Sequence, residues 1–159
     1  MSQRQLANWI KVIIIGMAIC GLIIYALMVP YFSKSIISNN PEFSSWFWPW
    51  MMLIIITAIP CYLVLFYVWK IATSIANDQS FTQTNSIILK KISHLATFDA
   101  FFFFSMNCIY LFIGMNHPGI IIASLFVIFF GFAFAIVTGA LSHLVSKASN
   151  IREENDWTI

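Results

Sequence analysis

Asp99 is the only acidic residue inside any long apolar stretch of this chain, standing in "LATFDAFFFFSMNCIYLFIGM". A charged side chain in hydrocarbon costs roughly 2.5–3.5 kcal/mol on insertion scales, so by default such a residue marks a function or a pairing. Two cations are candidates for the pairing. His143 continues the row Gly131, Ala135, Gly139 by one further step of four, which is expected to turn it toward protein at a depth close to that of Asp99. Lys70, at the inner end of the second apolar stretch, is the rival. The expectation is an intramembrane polar clamp of Asp99 with His143 or Lys70. A proton relay is disfavoured, because a transport path needs further polar groups at other depths.

The remaining reactive residue types are scattered. Cys20, Cys61 and Cys108 each lie within apolar sequence and none are in C-x-x-C spacing, the pattern of small buried hydrophobes. His94, His117 and His143 are far apart, so neither a metal nor a cofactor is expected. There is no phosphate-binding glycine loop, no H-E-x-x-H, no paired intramembrane carboxylate and no nucleophile–base arrangement, which disfavours catalysis. Asn107, near mid-membrane and flanked by Ser105, is expected to hydrogen-bond between helices for roughly 1 kcal/mol.

The elements that position these residues follow from composition. Of 159 residues, 60% are hydrophobic and only 9% charged, with 16 Phe and 6 Trp. About a quarter would be charged in a soluble domain. Four apolar runs, at about 12–32, 50–69, 95–115 and 119–141, each have the roughly 20 residues needed to cross a 30 Å hydrocarbon layer as a helix. The reading is an all-α membrane protein, a single four-helix transmembrane domain over 1–159. The first run is longer than a signal-peptide core and no A-x-A-like site follows it, so it reads as a retained anchor. With the N-terminus inside, every Lys and Arg except Lys34 falls on the inner side. This predicts both termini in the cytoplasm, "NHPG" as a tight outer turn, and residues 33–49 as an outer loop. Trp46, Trp48 and Trp50 at its end read as an interfacial aromatic belt rather than a stacking platform for a ligand. Pro60 is expected to kink the second helix, with Thr57 re-satisfying the freed backbone group.

"DQSFTQTN", residues 78–85, separates the second and third helices. Ser80 with Gln83 fits a capping box and Thr82 is the competing N-cap, so the third helix is expected to start near residue 81 or 82, well before the bilayer. Ile88 and Ile92 on that helix, with Leu144, Ala148 and Ile151 on the fourth, form apolar rows beyond the membrane that need a partner. Helices two to four are therefore expected to extend into a short cytoplasmic stub, with 78–85 as the tip of a hairpin. Residues 152–159 form an acidic tail in which Trp157 and Ile159 alternate, a pattern that suits docking at a sheet edge.

Two segments carry a resemblance. "IANDQSFTQTNSIILKKI" resembles an F-[ST]-x-x-N element followed by a basic amphipathic helix, and "ALSHLVSKASNIREENDWTI" resembles a fourth helix leading into an acidic D-x-T-I tail. With four spans, the chain resembles the bacterial membrane family called domain of unknown function twenty-nine seventy-five. Phe81, Thr82 and Asn85 match the hinge element; Asp156, Thr158 and Ile159 match the tail. The resemblance supplies no activity or catalytic residues. The family's gene neighbourhood implies a small Cro/C1-type helix-turn-helix regulator as a protein partner, and makes those six residues candidate partner-binding positions.

The expectation is thus a non-enzymatic protein of the bacterial inner membrane, embedded in the lipid bilayer. It would act as a sensor or anchor that binds a cytoplasmic protein such as a helix-turn-helix regulator, with no direct contact to nucleic acid. The stub charges are mixed, whereas DNA binding needs a concentrated basic face. The alternatives are a membrane immunity or stress-protection protein acting against a peptide or toxin, and a small transporter or channel subunit.

Overall fold

The computed structural model describes residues 2–156, and they contain helices and turns but no strand. Helix α1 (Gln3–Ile23) passes through a wider π-helical segment, Ile24–Met28, into α2 (Val29–Asn39). A short 3₁₀ segment, Pro41–Trp46, leads into α3 (Phe47–Ala76), followed by α4 (Gln83–Phe112) and α5 (Pro118–Asp156). Counting α1 and α2 as one continuous rod, four helices are long and apolar enough to span a membrane. At 1.5 Å per residue the 39-residue α5 is about 58 Å long and the 30-residue α4 about 45 Å, both longer than a 30 Å hydrocarbon layer. Exposed Leu, Ile and Phe cover their outward faces, the pattern expected where lipid is the solvent.

The helices lie in sequence order. The first helix packs on α3, α3 on α4, and α4 along α5, while no described residue of α1 or α2 has its Cα within 8 Å of one in α5. One end of the assembly carries the basic residues. There Lys11 sits 5.2 Å above the Trp69 ring and the Ser80 hydroxyl lies 3.4 Å from the Gln3 side chain. A capping box between Ser2 and Gln5 starts α1 at residue 3, nine residues before the apolar run begins, so the first helix joins this end as well.

Both hairpin turns end a helix in the same way. After α3, Gln79 N–H donates to Ser74 O (3.0 Å) and Asp78 N–H to Ile75 O (3.1 Å). After α4, Met115 N–H donates to Tyr110 O (2.8 Å) and Gly114 N–H to Leu111 O (3.1 Å). These are paired Schellman bonds, and the motif requires a left-handed residue just past the helix. Asp78 (φ 57°) and Gly114 (φ 79°) fill that place.

Several expectations are corrected. Residues 33–49 are mostly helical rather than an outer loop. Trp46 falls in the 3₁₀ segment and Trp48 in α3. Trp46 packs on Phe43 with ring centroids 4.6 Å apart and Trp48 is exposed. Trp50 donates to Met115 O at 3.0 Å and meets Tyr110 edge-on, closing the far end of the bundle. The α4 N-cap is Thr82 rather than Ser80. Thr57 bonds Ile54 O, not the Ile56 carbonyl that Pro60 leaves free within α3.

Candidate functional site

The α4–α5 contact is built from small and hydroxyl side chains recurring every seven residues. On α4 these are Ser86, Ser93 and Ala100; on α5 they are Ala135, Ser142 and Ser149. A seven-residue repeat keeps one seam of a helix facing its partner, and small residues let backbones approach where lipid gives no hydrophobic drive for association. The approach is close enough for hydroxyls to reach across to backbone. Ser86 Oγ donates to Ser142 O (2.9 Å), and Ser142 Oγ donates back to Ser86 O (2.8 Å). Ser93 Oγ donates to Ala135 O at 2.7 Å. A Cβ at Gly139 would lie 3.1 Å from Ser93 Oγ, and one at Gly131 3.2 Å from Ala100 Cβ. Near the basic end Gln83 bonds Asn150 and accepts from Ser146 Oγ at 3.2 Å.

The F-[ST]-x-x-N element is the staple of the basic-end hairpin. Thr82 Oγ1 accepts from Asn85 N–H (3.3 Å) as the N-cap. Asn85 is 2% exposed, and its side-chain amide lies within hydrogen-bond distance of Ser74 Oγ (3.0 Å), Gln79 O (2.8 Å) and Ser80 O (3.0 Å). These three atoms belong to the end of α3 and the turn, so one amide fixes the turn between α3 and α4. Phe81, by contrast, is 55% exposed. Of the three hinge residues proposed for partner binding, Phe81 is exposed, Thr82 half-buried and Asn85 buried. Asp156 ends α5, but its side chain lies outside the described residues, as do Thr158 and Ile159.

Asp99 does not meet His143 or Lys70. Its Oδ2 accepts a long contact from the Cys61 thiol, 3.8 Å, and its Oδ1 is the only buried side-chain N or O atom among the described residues without a hydrogen-bond partner. The register explains the miss. Ala100, next to Asp99, is level with Gly131, and His143 lies twelve residues farther along α5, about 18 Å away. His143 is also exposed: a row of four advances about 40° around the helix per step, so by residue 143 it has left the seam that Ala135, Ser142 and Ser149 define. On α3, Lys70 is nine residues past Cys61, about 14 Å, and its ammonium sits 4.7 Å above the Phe66 ring. The apolar rows near the basic end are corrected likewise. Ile92 is buried, but Leu144 and Ile151 are 61% and 52% exposed.

Asn107 is fully buried but joins no other span. Asn116 Nδ2, in the turn before α5, donates to Asn107 O (3.1 Å) and Oδ1 (3.2 Å), and Asn107 Nδ2 donates to Phe103 O (2.9 Å). Its role is to hold the far turn.

Asp99 lines a cavity of about 720 Å³ bounded by all four spans. Met17, Gly21 and Tyr25 form the α1 side, and Val127, Phe130 and Phe134 the α5 side. Tyr25 lies in the π-helical segment, a kind of irregularity that often occurs at functional sites. Tyr62 Oη donates to Ala18 O at 2.9 Å and ties α3 to α1 beside the cavity.

Residues 33–159, from within α2 through the C-terminal residue, match the family described as a protein of unknown function, DUF2975. The chain belongs to the DUF2975 family. The matched region contains the hinge staple, the seam and Asp99. The chain is also 28% identical over 152 residues to the uncharacterized membrane protein YoaS of Bacillus subtilis (strain 168), covering 94% of both chains. No solved structure matches it. The element Phe81–Asn85 therefore has a structural account in this chain, as the cap and staple of a helical hairpin.

Proposed function

We propose that this protein is a non-enzymatic sensor or anchor of the bacterial inner membrane, with both termini in the cytoplasm, and that the basic end of α3, α4 and α5 forms a stub that engages a cytoplasmic protein. The observation that carries this reading is the hydrogen bonding that joins the helix ends of the stub, combined with its exposed apolar side chains. Reciprocal Ser86–Ser142 bonds, the Gln83–Asn150 contact and the Asn85 staple lock α3, α4 and α5 together. Phe81, Ile87, Leu144 and Ile151 remain exposed on that frame, with Lys90, Lys91 and Lys147 among them. A fixed surface of separated apolar anchors and cations suits a protein partner, and a small helix-turn-helix regulator is the partner the family's gene neighbourhood implies. The absence of an enzymatic role is supported by how the polar groups are used. Asn85, Ser86, Ser93, Asn107 and Ser142 all bond backbone carbonyls.

The test has two arms. Single cysteines at Ser38 and Thr84, in a background without Cys20, Cys61 and Cys108, should label oppositely with an impermeant thiol reagent in intact cells. Labelling of Thr84→Cys from outside would reverse the orientation and end the cytoplasmic reading. A photoreactive amino acid at Phe81 should crosslink one cytoplasmic protein in native membranes, and Ile87→Asp should abolish that crosslink while membrane insertion persists. Crosslinks only to lipid would argue against docking at the stub.

A further inference from the structure

We propose that the cavity around Asp99 binds a lipophilic molecule carrying one hydrogen-bond donor, an amine or alcohol on an apolar body, which enters sideways from the bilayer between α1 and α5 and places its donor on the Asp99 carboxyl group. This goes beyond the docking role of the stub and does not depend on it.

Size comes first. A volume of about 720 Å³ lies within the range of roughly 300–1,000 Å³ typical of small-molecule sites. Such sites are mostly apolar with a few placed polar groups, and this cavity fits that pattern. Aliphatic and aromatic side chains from four spans surround it, and Asp99 is its only acid.

Access comes second. The first helix packs on α3 and α5 on α4, but no Cα of α1 or α2 lies within 8 Å of one in α5. Met17 and Gly21 therefore form one rim and Phe130 and Phe134 the other, with no helix of this chain between them. The open side faces where hydrocarbon lies, so the ligand that reaches it is one that partitions into lipid.

The third argument is the acceptor. A carboxylate offers about four lone-pair positions. At Asp99 the sole hydrogen bond among the described residues comes from a weak thiol donor at 3.8 Å on Oδ2, and Oδ1 has none. Rotation of the carboxyl group about its last bond exchanges the two oxygens, so either can be offered to a ligand. Elsewhere on α4, Asn85, Ser86, Ser93 and Asn107 all find protein partners. A bare alkyl chain would fill the volume and leave the acid unmatched, whereas a donor head group satisfies both the volume and the acid.

The experiment uses the full chain purified in detergent. Thermal unfolding is followed with dodecylamine, dodecanol and dodecane at matched concentrations, and a diazirine-bearing alkylamine is photocrosslinked and mapped by peptide. Dodecylamine should raise the midpoint by a few degrees and dodecane should not. The crosslinks should fall within residues 17–29, 54–65, 95–103 and 127–134, which line the cavity, with dodecylamine as competitor. Asp99→Leu should remove both the stabilisation and the competition. A matching effect of dodecanol would assign recognition to donor geometry, and its inactivity would assign it to positive charge; either supports the site. Equal stabilisation by dodecane would overturn the proposal in favour of a crevice for lipid chains. Crosslinks confined to other segments would also overturn it, as would a stable dimer that buries the α1 and α5 rims and excludes the probe. If Asp99→Leu does not fold, the comparison of dodecylamine with dodecane on the unaltered chain decides.

Discussion

The seam between α4 and α5 and the gap between α1 and α5 lie at overlapping depths in one molecule, and they are built on opposite rules. Along the seam the side chains are Gly, Ala and Ser, backbones approach closely, and hydroxyls bond carbonyls across the interface. At the gap the rims carry Met17, Tyr25, Phe130 and Phe134, and the two helices have no Cα atoms within 8 Å of each other. In water large apolar rims would draw together. In lipid they gain little by doing so, because hydrocarbon solvates them as well as protein does. Helix association here follows small residues and hydrogen bonds, and bulky apolar surface stays open. Asp99 is the one acid that lines the gap, and its Oδ1 has no hydrogen-bond partner.

The largest way to break this contrast is to make the seam bulky. Ala135→Leu adds volume where exposure is 2% and beside the carbonyl that Ser93 bonds. It should destabilise the fold by about 3 kcal/mol, read as loss of folded yield and a lower unfolding midpoint in micelles. Phe129→Leu, on a face that is 68% exposed, should change the midpoint little. Equal tolerance of both would remove the packing argument.

Next is the hinge staple. Asn85→Ala removes an amide set among three acceptors and should cost about 2–3 kcal/mol, with faster hydrogen exchange at residues 74–86. Phe81→Ala should leave stability nearly unchanged, since Phe81 is exposed. A large loss of stability from Phe81→Ala would show that the hinge depends on it.

A smaller effect is expected within the seam itself. Ser86→Ala and Ser142→Ala should be coupled by about 0.6–1.7 kcal/mol in a double-mutant cycle, because each hydroxyl bonds the other residue's carbonyl. Strict additivity would mean that close packing alone holds the two helices.

The smallest change sharpens the comparison most. Asp99→Leu should shift unliganded stability by no more than about 1 kcal/mol, and toward greater stability, because it removes a buried acid that lacks a strong partner. A loss of several kcal/mol would mean that Asp99 is held by a stronger contact than the Cys61 thiol.

Much of this architecture was legible in the chain. The four spans follow from run length. The Thr82 cap was available from local preference as the competitor to Ser80. The close α4–α5 approach was visible in Gly131, Ala135 and Gly139. The hydroxyl seam also had a signal, the seven-residue recurrence of Ser86, Ser93, Ala100 and of Ala135, Ser142, Ser149. The row of four obscured it, because that row drifts off the seam within three turns. The partner of Asp99 is not legible in hydropathy, because hydropathy sets depth on each helix separately. Folding the chain about its two turns, near residues 80 and 115, would have set Asp99 level with Cys61 and Gly131.

The sequence by itself determined that the chain is helical and made for lipid, because run length and the scarcity of charge are local properties that the bilayer reads directly. Which side chains face one another was decided by the tertiary structure. The left-handed residues Asp78 and Gly114 set where each hairpin folds, the folds set the register, and the register leaves Asp99 facing a cavity instead of a cation. No local pattern carries that outcome, because it depends on the sum of two turns and on two helix edges that lipid gives no reason to close.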